Sequence, residues 1–264
     1  MKNLVFMKTH YIDDSVISEY KKLNKISSDK YDTMLFIDNH TNFLNTKDNL
    51  PLKNIIIDDI SINCFIFNET VFQSCGLPYY TDNPNNQDIG KIMWYNSDYP
   101  LYIMRQFLPD YDYYWSIEAD VFCNGNSYEP FFKKYESDDS DLIIQDYRCF
   151  KDSDENWYWN SFSDWIYEGQ TKYGSLFPVA RLSGKAADFL YNRRKEHAKI
   201  FKEKSLLPSS RWIFCESFVA TELSNNGFKC KNLGEDKLRY QPVYNLNKER
   251  IFENPDFKLY HPVK

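Results

Sequence analysis

The feature that most constrains this chain is a strand–helix–strand signature at its start. Asn3 to Lys8 (NLVFMK) is a short apolar run that ends at Thr9 and His10. YDTMLFIDNH, residues 31–40, repeats the design and ends at Asp38, Asn39 and His40. Between them DDSVISEYKKLNKI, residues 13–26, sets Val16, Ile17, Tyr20, Leu23 and Ile26 at helical spacing, with acids in front and lysines behind. A helix linking two such runs predicts a βαβ unit and a largely parallel sheet. Further strand-like runs are IIIDD (55–59), INCFIF (62–67), YYWSIEADVF (113–122) and DLIIQD (141–146). SDYPLYIMRQFLPDYD (97–112) predicts a helix capped by Ser97 or Asp98 and ended by Pro109. Residues 183–204 predict a long helix, and 214–225 a last one ending at the NNG turn. There is no internal repeat and no low-complexity linker. The expectation is an α/β fold with a Rossmann-type, mostly parallel mixed sheet flanked by helices. It forms one domain over 1–264, with a nucleotide-type site in 1–126 and a half that finishes the pocket in 127–264.

Composition sets limits on function. Hydrophobic residues make up 42% of the 264, enough for a core without covalent staples. The net charge of -6 argues against a nucleic-acid partner, which needs a basic face, and suits a site built around a cation. Cysteines 64, 75, 123, 149, 215 and 230 show no zinc-type spacing, so reduced, mostly buried thiols are expected. The N-terminal apolar run is short for a signal peptide, and no stretch approaches a membrane span. The expected compartment is the cytoplasm.

YDYYWSIEADVFCNGN, residues 111–126, sets Glu118 and Asp120 two positions apart after an aromatic strand and before an NGN turn. Residues two apart on a strand share a face, so both acids are expected to point together, with Ala119 turned away. They would emerge where a central strand ends, which is where open α/β sheets bind ligands. Two adjacent carboxylates repel unless a shared proton, a basic neighbour or a divalent cation offsets the charge. Oxygen ligands favour Mg²⁺ or Mn²⁺, whose open positions a diphosphate can fill. The competing reading of an E-x-D triplet is a solvated turn.

At these residues the sequence resembles the GT-A fold, nucleotide-sugar-dependent glycosyltransferases. YDYYWSIEADV reads as a variant of that family's D-x-D motif, preceded by KIMWYNSDYP and followed by PVARLSG (178–184), CESFVATEL (215–223) and KLYHPVK at the C-terminus. The variant has Glu118 where the family more often has Asp. The resemblance implies that Asp120 ligates a metal bridging the donor diphosphate, and that Glu118 supports it or holds the ribose. It also implies a further ligand from His261, whose imidazole suits Mn²⁺ better than Mg²⁺. The alternative for His261 is an exposed tail histidine.

The resemblance further places the donor at the ends of the early strands, near Thr9, His10 and Asp38, and at Asn96 and Asp98. Loop, strand-end and cap roles explain those residues equally well. Glu216, between Cys215 and Ser217 in an apolar stretch, is the candidate base for direct displacement with inversion, and Asp146 is the second choice. Complementing a helix dipole is the other reading of Glu216. Trp157, Tyr158 and Trp159 are expected to form an acceptor platform, or else a core-covering loop. NRRKEHAKIFKEK (192–204) offers a peripheral contact with an anionic membrane carrying lipid-linked acceptors, or a solvated helix face.

These expectations describe a metal-dependent glycosyltransferase. It would move a sugar from a nucleotide-sugar donor to a glycan or lipid-linked acceptor hydroxyl in bacterial lipopolysaccharide or capsule synthesis. The alternatives are a metal-dependent nucleotidyl or phosphoryl transferase and a non-catalytic carbohydrate-binding protein.

Overall fold

A computed structural model of the chain describes residues 1–39, 44, 51–57, 59–78, 92–151, 164–203, 212–233, 239–240 and 256–262. The first half runs β1 (Asn3–Thr9), α1 (Asp14–Leu23), β2 (Tyr31–Asp38), β3 (Leu52–Ile57), β4 (Ile60–Phe67) and α2 (Glu69–Cys75). It continues with α3 (Ile92–Tyr95), α4 (Tyr99–Phe107), β5 (Tyr113–Glu118) and β6 (Phe122–Cys123). The second half holds α5 (Glu129–Lys133), β7 (Leu142–Cys149), α6 (Asp164–Tyr167), β8 (Tyr173–Ser183) and α7 (Gly184–Glu203). It closes with α8 (Cys215–Asn225), β9 (Cys230–Asn232), β10 (Arg239–Tyr240) and β11 (Leu259–His261).

The expected α/β fold is present. An eight-stranded sheet has the order β3-β4-β2-β1-β5-β8-β7-β9. The pairings β2/β4, β1/β2, β1/β5 and β7/β9 are parallel, and β3/β4, β5/β8 and β7/β8 are antiparallel. From β1 the chain steps outward to β2 and β4 on one side, then returns to lay β5 on the other. The order therefore reverses between β1 and β5, and the crevice at their carboxyl ends is the place such sheets offer a ligand.

Burial on both faces explains why the central strands read as continuous apolar runs rather than alternating ones. In β1, Leu4 and Phe6 join a core with α4, α7 and α8, while Val5 and Met7 join a second core with α1 and α5. The helix α1 starts where the Asp13 side chain accepts the Val16 amide at 2.9 Å, and its last turn carries Lys21 and Lys22.

One strand has no counterpart among the expected runs: PVARLS (178–183) lies in β8, where Pro178 and Arg181 interrupt the apolar pattern. Arg181 is 1% exposed, yet its guanidinium reaches Asp138 Oδ1 at 3.0 Å and the Ser140 carbonyl at 2.8 Å and lies 4.2 Å from the Tyr113 ring centre. The helix expected within 97–112 spans Tyr99–Phe107, and Asp98 does not cap it with its side chain. That carboxylate turns instead to Arg194 of α7, at 2.8 Å.

All six cysteines are free thiols, and Cys64, Cys75, Cys123 and Cys215 are buried. Among the described residues no helix is long and apolar enough to cross a membrane. The basic segment on α7 is less outward-facing than its sequence suggests. Arg194 and His197 are fully buried, and Arg193 pairs with Glu222 of α8 at 2.9 Å.

Candidate active site

The site is assembled by register. Lys8, next to last in β1, lies opposite Glu118, the last residue of β5. Lys8 Nζ is 3.4 Å from Glu118 Oε1, with the two side chains 11% and 29% exposed. The strand stops there, because the Val121 amide donates back to the Glu118 carbonyl at 3.1 Å and closes a turn. Asp120 therefore reaches the same side as Glu118 through that turn, and not through strand alternation as expected.

The third member comes from the far end of the chain. β11 pairs antiparallel with β6, Tyr260 opposite Phe122 and Leu259 opposite Cys123. One residue beyond that pairing, His261 lands beside the turn. Its Nε2 lies 3.2 Å from Asp120 Oδ1 and 3.4 Å from Glu118 Oε2. The imidazole is buried, so it is no exposed tail histidine.

The electrostatics follow from this packing. Burial pushes the Glu118 carboxyl upward, but the Lys8 charge and the His261 hydrogen bond outweigh it and hold the group at about 2. Burial disfavours the charged form of His261, but hydrogen bonds to Asp120 and Glu118 raise it to about 9. Tyr11, which follows the carboxyl end of β1, has its phenol raised by burial first and then by the charges of Asp13 and Asp120.

One ligand atom from each of Glu118, Asp120 and His261 lies within 4.8 Å of the others. Opposite ligands of a Mg²⁺-sized ion stand about 4 Å apart, so the set fits a divalent cation after a small contraction. Two carboxylate oxygens and one imidazole nitrogen leave open positions, and the nitrogen suits Mn²⁺ better than Mg²⁺.

The chain resembles solved glycosyltransferases. Mouse xyloside xylosyltransferase 1 in its apo form aligns over 98% of this chain and 97% of its own, with 9% identity and a TM-score of 0.48. The galactosyltransferase LgtC, in complex with donor and acceptor sugar analogues, aligns over 98% of this chain and 86% of its own, with 12% identity and a TM-score of 0.44. No protein-family model and no curated protein sequence matches the chain.

The other expected site residues fall into four groups. Thr9 and Asp38 end β1 and β2 on the same sheet edge as Glu118, both buried, and His10 is exposed just beyond, its ring edge against Tyr11. The Thr9 hydroxyl donates to the Tyr11 carbonyl, which fixes the bend after β1. Asn96 and Asp98 are wholly enclosed where α4, α7 and residues 212–214 meet. Asn96 Oδ1 accepts Trp212 Nε1–H at 3.1 Å and Asp98 holds Arg194, so a donor contact there would require these bonds to open.

Glu216 sits in the first turn of α8 and is buried, with its carbonyl accepting the Ser175 hydroxyl of β8 at 3.1 Å. Asp146 occupies a left-handed backbone conformation (φ 53°) where β7 slips register against β8. A bulge of this kind re-aims a side chain, and Asp146 Oδ2 lies 3.6 Å from Arg148 Nε. Trp157, Tyr158 and Trp159 lie outside the described residues. Lys8 and Tyr11 join the site without any mark in the sequence that singles them out. Lys8 ends an apolar run in the manner of any strand terminus, and only the β1/β5 register gives it a role.

Proposed function

We propose that the protein is a divalent-metal-dependent glycosyltransferase that moves a sugar from a nucleotide-sugar donor to a glycan acceptor hydroxyl with inversion. The observation that carries this reading is the convergence of Glu118, Asp120 and His261, drawn from distant parts of the chain, at the β1/β5 crevice. Asp120 and His261 would hold Mn²⁺ or Mg²⁺, and Glu118 would support the ion or take the ribose. The bound ion would supply charge neutralisation for a departing diphosphate.

Lys8 stands beside this set as a fixed cation facing the same leaving group. Thr9, His10 and Asp38 shape the donor end of the crevice, within the 1–126 half. The 127–264 half supplies the acceptor side, with Trp157 and Trp159 as its stacking surface.

In the transfer step the acceptor oxygen attacks the anomeric carbon. Its proton passes to the Glu216 carboxylate, and the bond from the anomeric carbon to the diphosphate oxygen breaks to release the nucleoside diphosphate. Asp146 is the second candidate for the base, favoured by its re-aimed position on the β7 bulge. The setting that suits this chemistry is cytoplasmic assembly of lipopolysaccharide or capsule on lipid-linked acceptors.

The test is product analysis with a panel of nucleotide sugars and Mn²⁺. Release of a nucleoside diphosphate supports sugar transfer. Release of pyrophosphate from nucleoside triphosphates moves the same site to nucleotidyl transfer. Sugar binding that ignores Mn²⁺ and survives Asp120→Ala leaves only a carbohydrate-binding protein.

A further inference from the structure

β6 is the hub of the candidate site. Asp120 precedes it by two residues, and its pairing with β11 delivers His261. A two-residue strand holds a position poorly by itself. Alternate residues of an antiparallel pair also turn their amide and carbonyl groups away from the partner strand, where they need other bonds.

At Cys123 both groups are met by α1. Glu19 Oε2 accepts the Cys123 amide at 3.0 Å, and Lys22 Nζ donates to the Cys123 carbonyl at 2.8 Å. Lys22 also donates to Glu19 Oε1 at 2.7 Å, which locks the two side chains together one turn apart on the helix. Tyr128 adds a second tie. Its hydroxyl lies 2.9 Å from Glu19 Oε2 and 3.2 Å from the carbonyl of Val121, the residue after Asp120. Glu19 is 3% exposed, and Lys22 Nζ sits 4.0 Å from the Phe122 ring centre. A charged pair enclosed at this depth costs desolvation, and its hydrogen bonds reach the Cys123 backbone and the Tyr128 hydroxyl.

We infer that Glu19 is a positioning residue for the metal set. Through Cys123 and Tyr128 it fixes the turn bearing Asp120 and the strand that seats His261, without touching either ligand. The inference rests on the metal reading above. Groups that orient metal ligands from behind commonly change affinity by about 10–100-fold when removed.

The experiment is a Mn²⁺ titration followed by electron paramagnetic resonance of the free ion, on wild type, Asp120→Ala, Glu19→Ala, Glu19→Gln and Tyr128→Phe, each checked for native near-ultraviolet dichroism. Glu19→Ala is expected to bind Mn²⁺ about 10–100-fold more weakly. Glu19→Gln, whose amide oxygen still accepts the Cys123 amide, should stay within about fivefold of wild type, and Tyr128→Phe should fall between. A folded Glu19→Ala protein with wild-type affinity overturns the inference. Where Glu19→Ala does not fold, Tyr128→Phe and Lys22→Met carry the test, and wild-type affinity in both overturns it equally. The controls separate the two claims. If wild type fails to bind Mn²⁺, or Asp120→Ala binds as wild type does, the metal reading fails and this inference with it. If only the Glu19 and Tyr128 variants behave as wild type, the metal reading stands and the positioning role does not.

Discussion

Lys8 and Glu118 face each other across the parallel β1/β5 pair, and their charged atoms lie 3.4 Å apart. The ammonium therefore neutralises one of the two acids and repels any cation that approaches them. Lys8→Met should tighten Mn²⁺ binding about fivefold, roughly 1 kcal/mol, because the competing charge is gone. It should also raise KM for a nucleotide-sugar donor, since the proposed site would set the same ammonium toward the donor's diphosphate. Calorimetric titration and donor kinetics check the two effects, and weaker metal binding in this variant would contradict the assignment.

The two candidate bases separate by kinetics. If Glu216 is the base, Glu216→Gln removes the proton acceptor but not the metal set, so kcat should fall about 10²–10⁴-fold with Mn²⁺ affinity unchanged. Asp146→Asn should leave kcat within a few-fold. The reverse pattern would move the base to the β7 bulge.

The Asp98–Arg194 pair is completely buried, with Nε 2.8 Å from Oδ2, and the guanidinium also donates to the Ile213 carbonyl at 2.8 Å. Removing one partner leaves an uncompensated charge inside the protein. Asp98→Asn should therefore cost about 3–5 kcal/mol in urea unfolding. The double variant Asp98→Asn/Arg194→Met should cost less than the sum of the single ones. A loss under about 1 kcal/mol for Asp98→Asn would show that the pair is not structural.

That pair also marks the limit of sequence reading. The βαβ start, the aromatic strand ending at Glu118 and the helices at 184–203 and 215–225 were legible, because apolar periodicity and turn residues act locally. The nearness of Glu118, Asp120 and His261 was legible as chemistry but not as geometry. The sequence pointed to strand alternation, whereas a turn after Glu118 and the β6/β11 pairing do the work. Asp98 reads as a helix cap because its partner lies 96 residues away on α7. Lys8 and Glu19 carry no local mark at all. Their roles come from the register of β1 with β5 and from the packing of α1 on β6.

Acid should weaken the fold through Glu222 and His197. Glu222 accepts Arg193 Nε–H at 2.9 Å and the Tyr167 hydroxyl at 2.9 Å, and His197 Nε2 lies 3.0 Å from it. Burial pushes its carboxyl up, but hydrogen bonds and charge from His197 and Arg193 hold it at about 2. A folded value below the unfolded 4.5 gives stability that is present above pH 4.5 and lost as pH falls toward 2, on the order of 3 kcal/mol. His197 is held below its ordinary 6.5, by burial first and then by the neighbouring arginines, so it adds a loss of the same sign beginning below pH 6.5. Urea midpoints should fall from pH 7 to pH 3, first below pH 6.5 through His197 and then below pH 4.5 through Glu222, and Glu222→Gln should flatten the second part.

The most direct test of the metal and nucleotide site is a thermal-shift screen of nucleoside diphosphates with and without Mn²⁺, on wild type and Asp120→Ala. A ligand at a hundred times its Kd adds about 2.7 kcal/mol of stability. The predicted result is one nucleotide whose shift appears only with Mn²⁺ and vanishes in Asp120→Ala. Equal shifts with and without the ion, or none for any nucleotide, would contradict it.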